Sequence, residues 1–215
     1  MEIPGELDRA CPVAICMKRF IACLAVVVIQ TACLDVENFG AYWDKGFVDP
    51  ALEGSWKKIG LRGQKINDTP GPDIWRFTKD GTSYSLQGIN PIDPSSPADK
   101  IAQAQADNDT RVPVRSLRVG DYLLLMQFAP DPSGQGWMER YEVKGDTLRE
   151  YWIENATAVD YVLDRRPTPR NITKNTGEGR RLVIHTFDDE VFQVLGELGN
   201  KSRYWRLTCE YKKIR

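Results

Sequence analysis

Residues Trp137 to Glu154 read "WMERYEVKGDTLREYWIE". Two runs of alternating character flank Lys144-Gly145-Asp146. In the first run Trp137, Tyr141 and Val143 fall on one face together with Glu139, and Met138, Arg140 and Glu142 fall on the other. A period of two is the signature of a half-buried strand, and Gly-Asp between two such runs supplies the backbone freedom of a tight turn. The segment therefore predicts an antiparallel hairpin.

The same chemistry recurs on either side. "IWRFT" and "SYSLQ" flank Lys79-Asp80-Gly81-Thr82, and "RVPVRSL" and "YLLLMQF" flank Val119-Gly120-Asp121. "SWKKIGL" opens the set, "DYVLDR" and "RLVIHTF" read as further strands, and "YWRLTCEYKKI" closes it. "YLLLMQF" is apolar on both faces, which predicts a central strand or one with a second layer over it. One helix stands out. In "HTFDDEVFQVLGELGN" Thr186 caps, Asp189 takes the capping-box position, and Phe187, Val191, Val194, Leu195 and Leu198 form the apolar stripe. A shorter helix is expected from Pro97 to Ala106, inside the long connection after Gly88, and the Pro-, Gly- and Asn-rich stretch from Arg166 reads as a second long loop. The fold class is mainly β: an antiparallel barrel or sandwich with one late helix before the last strand.

The chain begins differently. Lys18 and Arg19 precede an apolar run from Phe20 to Ile29, which ends at "IQTAC", Ile29 to Cys33. The run fits the ~7–15 residues of a signal-peptide core and falls short of the ~18 of a membrane span. Glu2, Glu6 and Asp8 are unsuited to the inner end of such a signal, so residues 1–16 read as an upstream extension and residues 17–32 as the signal itself. "IQTAC" resembles the lipobox of bacterial lipoproteins, with Ala32 in the small position and Gln30 where an apolar residue is usual. That resemblance implies lipidation of Cys33, export, and a membrane partner through the lipid. Leu34 in place of an Asp points to the outer membrane, facing the periplasm. Residues 33–53 then form the anchor and tether, and residues 54–215 a single β-rich domain. The aromatic residues Phe39, Tyr42, Trp43 and Phe47 either dock on that domain or rest at the bilayer surface. Of the five cysteines, Cys11, Cys16 and Cys23 leave with the signal. Cys209 remains as a small buried hydrophobe. Five N-x-S/T triplets, at Asn67, Asn108, Asn155, Asn171 and Asn200, would suit a glycosylated ectodomain, but polar turns generate them freely.

"LEGSWKKIG" also resembles the first-strand signature of lipocalins, with Gly54 and Trp56 in the Gly-x-Trp places, and "DYVL" resembles a later lipocalin motif. A lipocalin-like barrel is what this resemblance implies.

Little in the sequence points to chemistry. A net charge of −1 gives no footprint for nucleic acid. The single histidine, His185, cannot build a His-rich metal centre and reads as a strand-end hydrogen-bonding residue. "DNDT" from Asp107 begins like a calcium loop but has Val112 where the turn glycine belongs. Glu139, Glu142, Glu150 and Glu154 could pair for glycoside hydrolysis, but on hairpin strands they are expected to point outward in ion pairs with Arg140 and Arg149. No cofactor and no metal is expected. The primary expectation is a non-enzymatic envelope lipoprotein with a structural or interaction role, its partner an envelope protein. The alternative is a lipocalin-like carrier holding a small apolar ligand among Trp56, Trp75, Tyr84 and Trp137. Glycan hydrolysis ranks third.

Overall fold

Seven consecutive strands run up and down and an eighth returns between the last and the first of them. The computed structural model describes residues 34–61, 63–128, 135–153, 155–164, 169–175 and 181–214. Cys33, the signal segment, the upstream extension and Glu154 lie outside these residues. The strands are β1 (Leu34–Val36), β2 (Gly54–Lys58), β3 (Ile74–Asp80), β4 (Ser83–Ile89), β5 (Val112–Val119), β6 (Tyr122–Phe128), β7 (Gly136–Lys144), β8 (Thr147–Ile153), β9 (Ile172–Asn175), β10 (Arg181–Ile184) and β11 (Trp205–Ile214). The helices are α1 (Tyr42–Lys45), α2 (Ala98–Asp109), α3 (Asn155–Leu163) and α4 (Asp189–Leu198). Strands β2 to β8 pair in order, β11 pairs with both β8 and β2, and all these pairings are antiparallel. The result is a closed 8-stranded barrel. Closure removes every sheet edge from its wall. Among the described residues no helix is long and apolar enough to cross a membrane.

The two ends of the barrel differ. The hairpins β3–β4, β5–β6 and β7–β8 all turn at one end, through Gly81, Gly120 and Gly145 with φ of 57°, 58° and 60°. Those are left-handed values that glycine adopts at no steric cost. Up-and-down order then puts the long connections, residues 59–73 and 90–111 among them, at the opposite end, called here the loop end.

A second layer lies outside the barrel. The edge of β7 is divided: Gly136–Met138 pair with β1, and Arg140–Lys144 pair with β8. Strand β1 runs parallel to β10, which pairs with β9. Their apolar residues form one core with α3, α4 and the outer face of β5–β7, including Leu117, Leu124, Met126, Met138, Val162, Val194 and Leu198. This explains the doubly apolar β6. Leu124 and Met126 point into the outer core, while Leu123 and Leu125 point into the barrel. The aromatic tether is part of this layer, since Phe39 and Tyr42 are buried in the same core.

Three local expectations change. "DYVLDR" is not a strand, because Asp160 to Leu163 are the last residues of helix α3. Ala156 and Ala158 upstream extend the helix-forming stretch, and Ala158 and Val162, four apart, are buried on one face. The cap of α4 is Asp188, whose Oδ1 accepts from Val191 N at 2.9 Å, in place of Thr186. In the loop from Arg166, residues Ile172–Asn175 form β9.

Candidate functional site

Inside the barrel the turn end is apolar. Trp56, Phe77, Tyr84, Leu86, Leu125 and Leu148 are all but fully buried there. Trp56 Nε1 donates to Leu52 O at 2.7 Å, and Tyr141 Oη donates to Asp49 Oδ2 at 2.7 Å. Trp56 and Tyr84, expected to hold a ligand, are thus core residues of this end, although Tyr84 Oη has no hydrogen-bond partner.

The loop end is built differently. Alternation carries Trp137 and Glu139 on β7, and Glu150 and Trp152 on β8, to the interior. On β2 the residue after next from Trp56 is Lys58, also interior. On β11 a bulge at Thr208, between Leu207 and Cys209, reverses the facing of the strand. Trp205 before it belongs to the outer core, and Cys209 and Tyr211 after it belong to the barrel interior. Thr208 Oγ1 anchors the bulge by donating to Glu150 O at 3.0 Å.

Glu139 and Glu150 are therefore buried, each 6% exposed. This corrects the expectation that both point outward in ion pairs. Among the described residues of that set, Glu142 alone does so, 2.8 Å from Lys144 and 3.8 Å from Arg149. Burial pushes the Glu139 carboxyl up to about 7, with hydrogen bonds from Gln127 and Trp152 opposing it. Glu150 is pushed well above the usual carboxylate range, first by burial and then by the charge of Glu139. Tyr211, Trp75 and Lys58 act in the opposite direction. Two carboxyl groups in one low-dielectric interior cannot both ionise cheaply, so protonation of one is coupled to the other.

No family model, no curated protein and no solved structure matches the chain.

The rest of the site follows from its geometry. Lys58, 6% exposed, is held by the loop between β2 and β3. Its Nζ donates to Gly71 O at 2.7 Å and Thr69 O at 3.4 Å, and lies 3.4 Å from Asp73 Oδ1. That loop passes directly over Tyr211. A Cβ on Gly71, where φ is +84°, would sit 2.2 Å from Tyr211 Oη and 3.7 Å from Glu150 Oε2. Only glycine permits both the backbone angle and the approach. Tyr211 is wholly buried, and neither its Oη nor Trp75 Nε1 has a partner of ordinary hydrogen-bond geometry. Buried groups left this way call for an explanation. Trp75 packs against Gly88 and Pro72, and Trp75, Trp137 and Trp152 are half-buried.

Of the four expected ligand residues, then, Trp137 lies at the polar loop end and Tyr84 at the apolar turn end, while Trp56 and Trp75, directly opposite each other on β2 and β3, stand where the two regions meet. Glu139 and Glu150 are legible in the sequence as a hydrolytic pair, expected outward, and the residues missed were Lys58, Gln127 and Tyr211. The signal was parity: Glu139 shares a face with Trp137 and Tyr141, and Lys58 with Trp56.

The remaining polar groups have local roles. His185 follows β10, with Nδ1 2.7 Å from Glu37 Oε2 and Nε2 2.8 Å from Thr173 Oγ1. Cys209 is buried and its thiol is raised to about 11, chiefly by burial, so it is inert at neutral pH. The Asp107–Thr110 stretch ends helix α2. Among the described residues no group of three or more metal-binding side chains is assembled.

Proposed function

We propose that the chain is a non-enzymatic lipoprotein of the bacterial envelope, exported by the signal in residues 17–32 and held at the outer membrane through Cys33, and that its barrel binds a small ligand at the loop end. The anchor rests on the lipobox-like "IQTAC". Mass analysis of the mature protein tests it, and an unmodified Cys33 on an intact chain refutes it. The binding reading rests on one observation: the wholly buried Tyr211 hydroxyl, beside two interior carboxyl groups, has no partner of ordinary hydrogen-bond geometry. A barrel kept only as a scaffold gains nothing from such a site, because apolar residues of similar volume would fill it without the desolvation cost. The apolar turn end is occupied by its own side chains, so recognition falls to the polar groups near Trp75 and Trp137. Titration of the full chain with a panel of small charged and neutral solutes, followed by tryptophan fluorescence, tests this. A response lost in Trp75→Phe supports it, and silence across the panel refutes it.

A second reading draws on the near-neutral Glu139 beside Glu150, which is the condition general acid–base chemistry on a glycan needs. Release of reducing ends from envelope glycan, abolished in Glu139→Gln, would favour it over simple binding.

A further inference from the structure

We propose that the ligand of the loop end is an organic cation, an alkylammonium group taken up between the carboxyl groups of Glu139 and Glu150 and the tryptophans Trp75, Trp137 and Trp152. This rests on the reading that the loop end binds a small ligand, and it adds the sign of the ligand's charge.

The argument begins with the charges that face the pair from each neighbouring element. Strand β7 contributes Glu139 and β8 contributes Glu150. Strand β11 contributes Cys209 and Tyr211, both neutral at physiological pH because their pKa values are raised. Strand β6 contributes the uncharged Gln127. Among the described residues the cation facing the pair is Lys58 of β2, and it is already committed to Gly71 O, Thr69 O and Asp73. Among the described residues neither Glu139 nor Glu150 makes an ion pair. The interior thus holds two potential negative charges against one cation, Lys58, which acts on Glu150 but makes no ion pair with either carboxyl group. A proton takes the place of such a partner in the free protein. An ammonium group would replace it more completely, since it carries three donors and lets both carboxyls ionise.

Two further observations agree. Tyr211 Oη, wholly buried and without a partner of ordinary hydrogen-bond geometry, lies beside Glu150 under Gly71 and offers a lone pair to an N–H donor. Three half-buried tryptophans, one each on β3, β7 and β8, stand at the same end, and aromatic rings attract cations electrostatically. An anion would meet the carboxyl pair unfavourably. A neutral solute would leave one carboxyl protonated and gain no charge-assisted hydrogen bond.

Uptake is an exchange: the ammonium enters and about one proton leaves, so net charge in the barrel is unchanged. Affinity should therefore rise with pH, by up to about tenfold per unit, for as long as the pair still holds the proton that leaves. The test is isothermal titration calorimetry of the full chain with butylammonium and tetramethylammonium, and with butanol and butanoate as neutral and anionic counterparts, at pH 6, 7 and 8 in two buffers of different ionisation heat. The inference expects binding of at least one of the cations, at least tenfold weaker binding of butanol and butanoate, and proton release. It expects weaker binding and no proton release in Glu139→Gln and in Glu150→Gln, each checked for folding by circular dichroism. Butanol or butanoate binding as tightly as the cations overturns the inference but leaves the ligand reading intact. No binding by any of the four solutes overturns the inference together with that reading.

Discussion

Replacing Glu139 by Gln should stabilise the protein at alkaline pH and change its stability profile in a defined window. The carboxyl is 6% exposed, and burial raises it from an ordinary 4.5 to about 7. A group raised in the folded state binds its proton more tightly there than in the unfolded chain. Its favourable contribution is complete below the unfolded value, declines as pH rises from about 4.5, and is gone above about 7. Each unit of difference corresponds to about 1.4 kcal/mol, so the loss across the window is on the order of 3 kcal/mol. Gln is nearly isosteric, keeps an oxygen to accept from Gln127, and has no charge to bury. Urea unfolding of both proteins at pH 5, 6, 7 and 8 gives the difference directly, because titrating groups away from the pair cancel between them and the relief of Glu150 from the Glu139 charge acts in the same direction. The variant should gain on the wild type steadily from pH 5 to 7, by about 2 kcal/mol or more, and hold that gain at pH 8. A difference independent of pH, or one that moves in favour of the wild type as pH rises, would refute the buried, unpaired state of Glu139.

Three other outcomes follow from the packing. Gly71→Ala forces a positive φ on a residue with a Cβ and drives that atom into Tyr211 Oη, so it should cost about 2–3 kcal/mol of unfolding free energy, part of it recovered in the double variant with Tyr211→Phe. Asp188→Ala removes the cap that accepts from Val191 N and should cost about 1 kcal/mol in thermal or chemical unfolding. Leu124→Ala, in the layer between barrel and α4, should cost about 2–5 kcal/mol, and a loss below about 1 kcal/mol would argue against a packed outer core.

The wall of the barrel was legible in the sequence because hairpins announce themselves locally. Asp80-Gly81, Gly120-Asp121 and Gly145-Asp146 each sit between alternating runs, and the doubly apolar β6 foretold a second layer. Helix α3 was misread because "DYVLDR", taken alone, has a short apolar centre between charged ends and is too short for its period to separate helix from strand. The facing of Cys209 and Tyr211 was not legible, since a bulge reverses parity without a marker in the residue types around Thr208. The acid pair was legible and passed over. Strict alternation already grouped Glu139 with Trp137 and Tyr141, but carboxylates are so seldom buried that surface ion pairs were expected instead. What no local pattern could supply was the convergence of β2, β6, β7, β8 and β11 on one end of the barrel, because closure joins strands distant in the chain.

Strand β1 starts at Leu34, which is 1% exposed, one residue after the cysteine assigned to carry lipid. One residue of extended chain reaches about 3.5 Å. Acyl groups on Cys33 would thus be fastened to the sheet itself with no swinging arm between them. The barrel would ride close against the leaflet at a restricted tilt, and its mouth would sample solutes from one bearing relative to the membrane instead of sweeping the space around it.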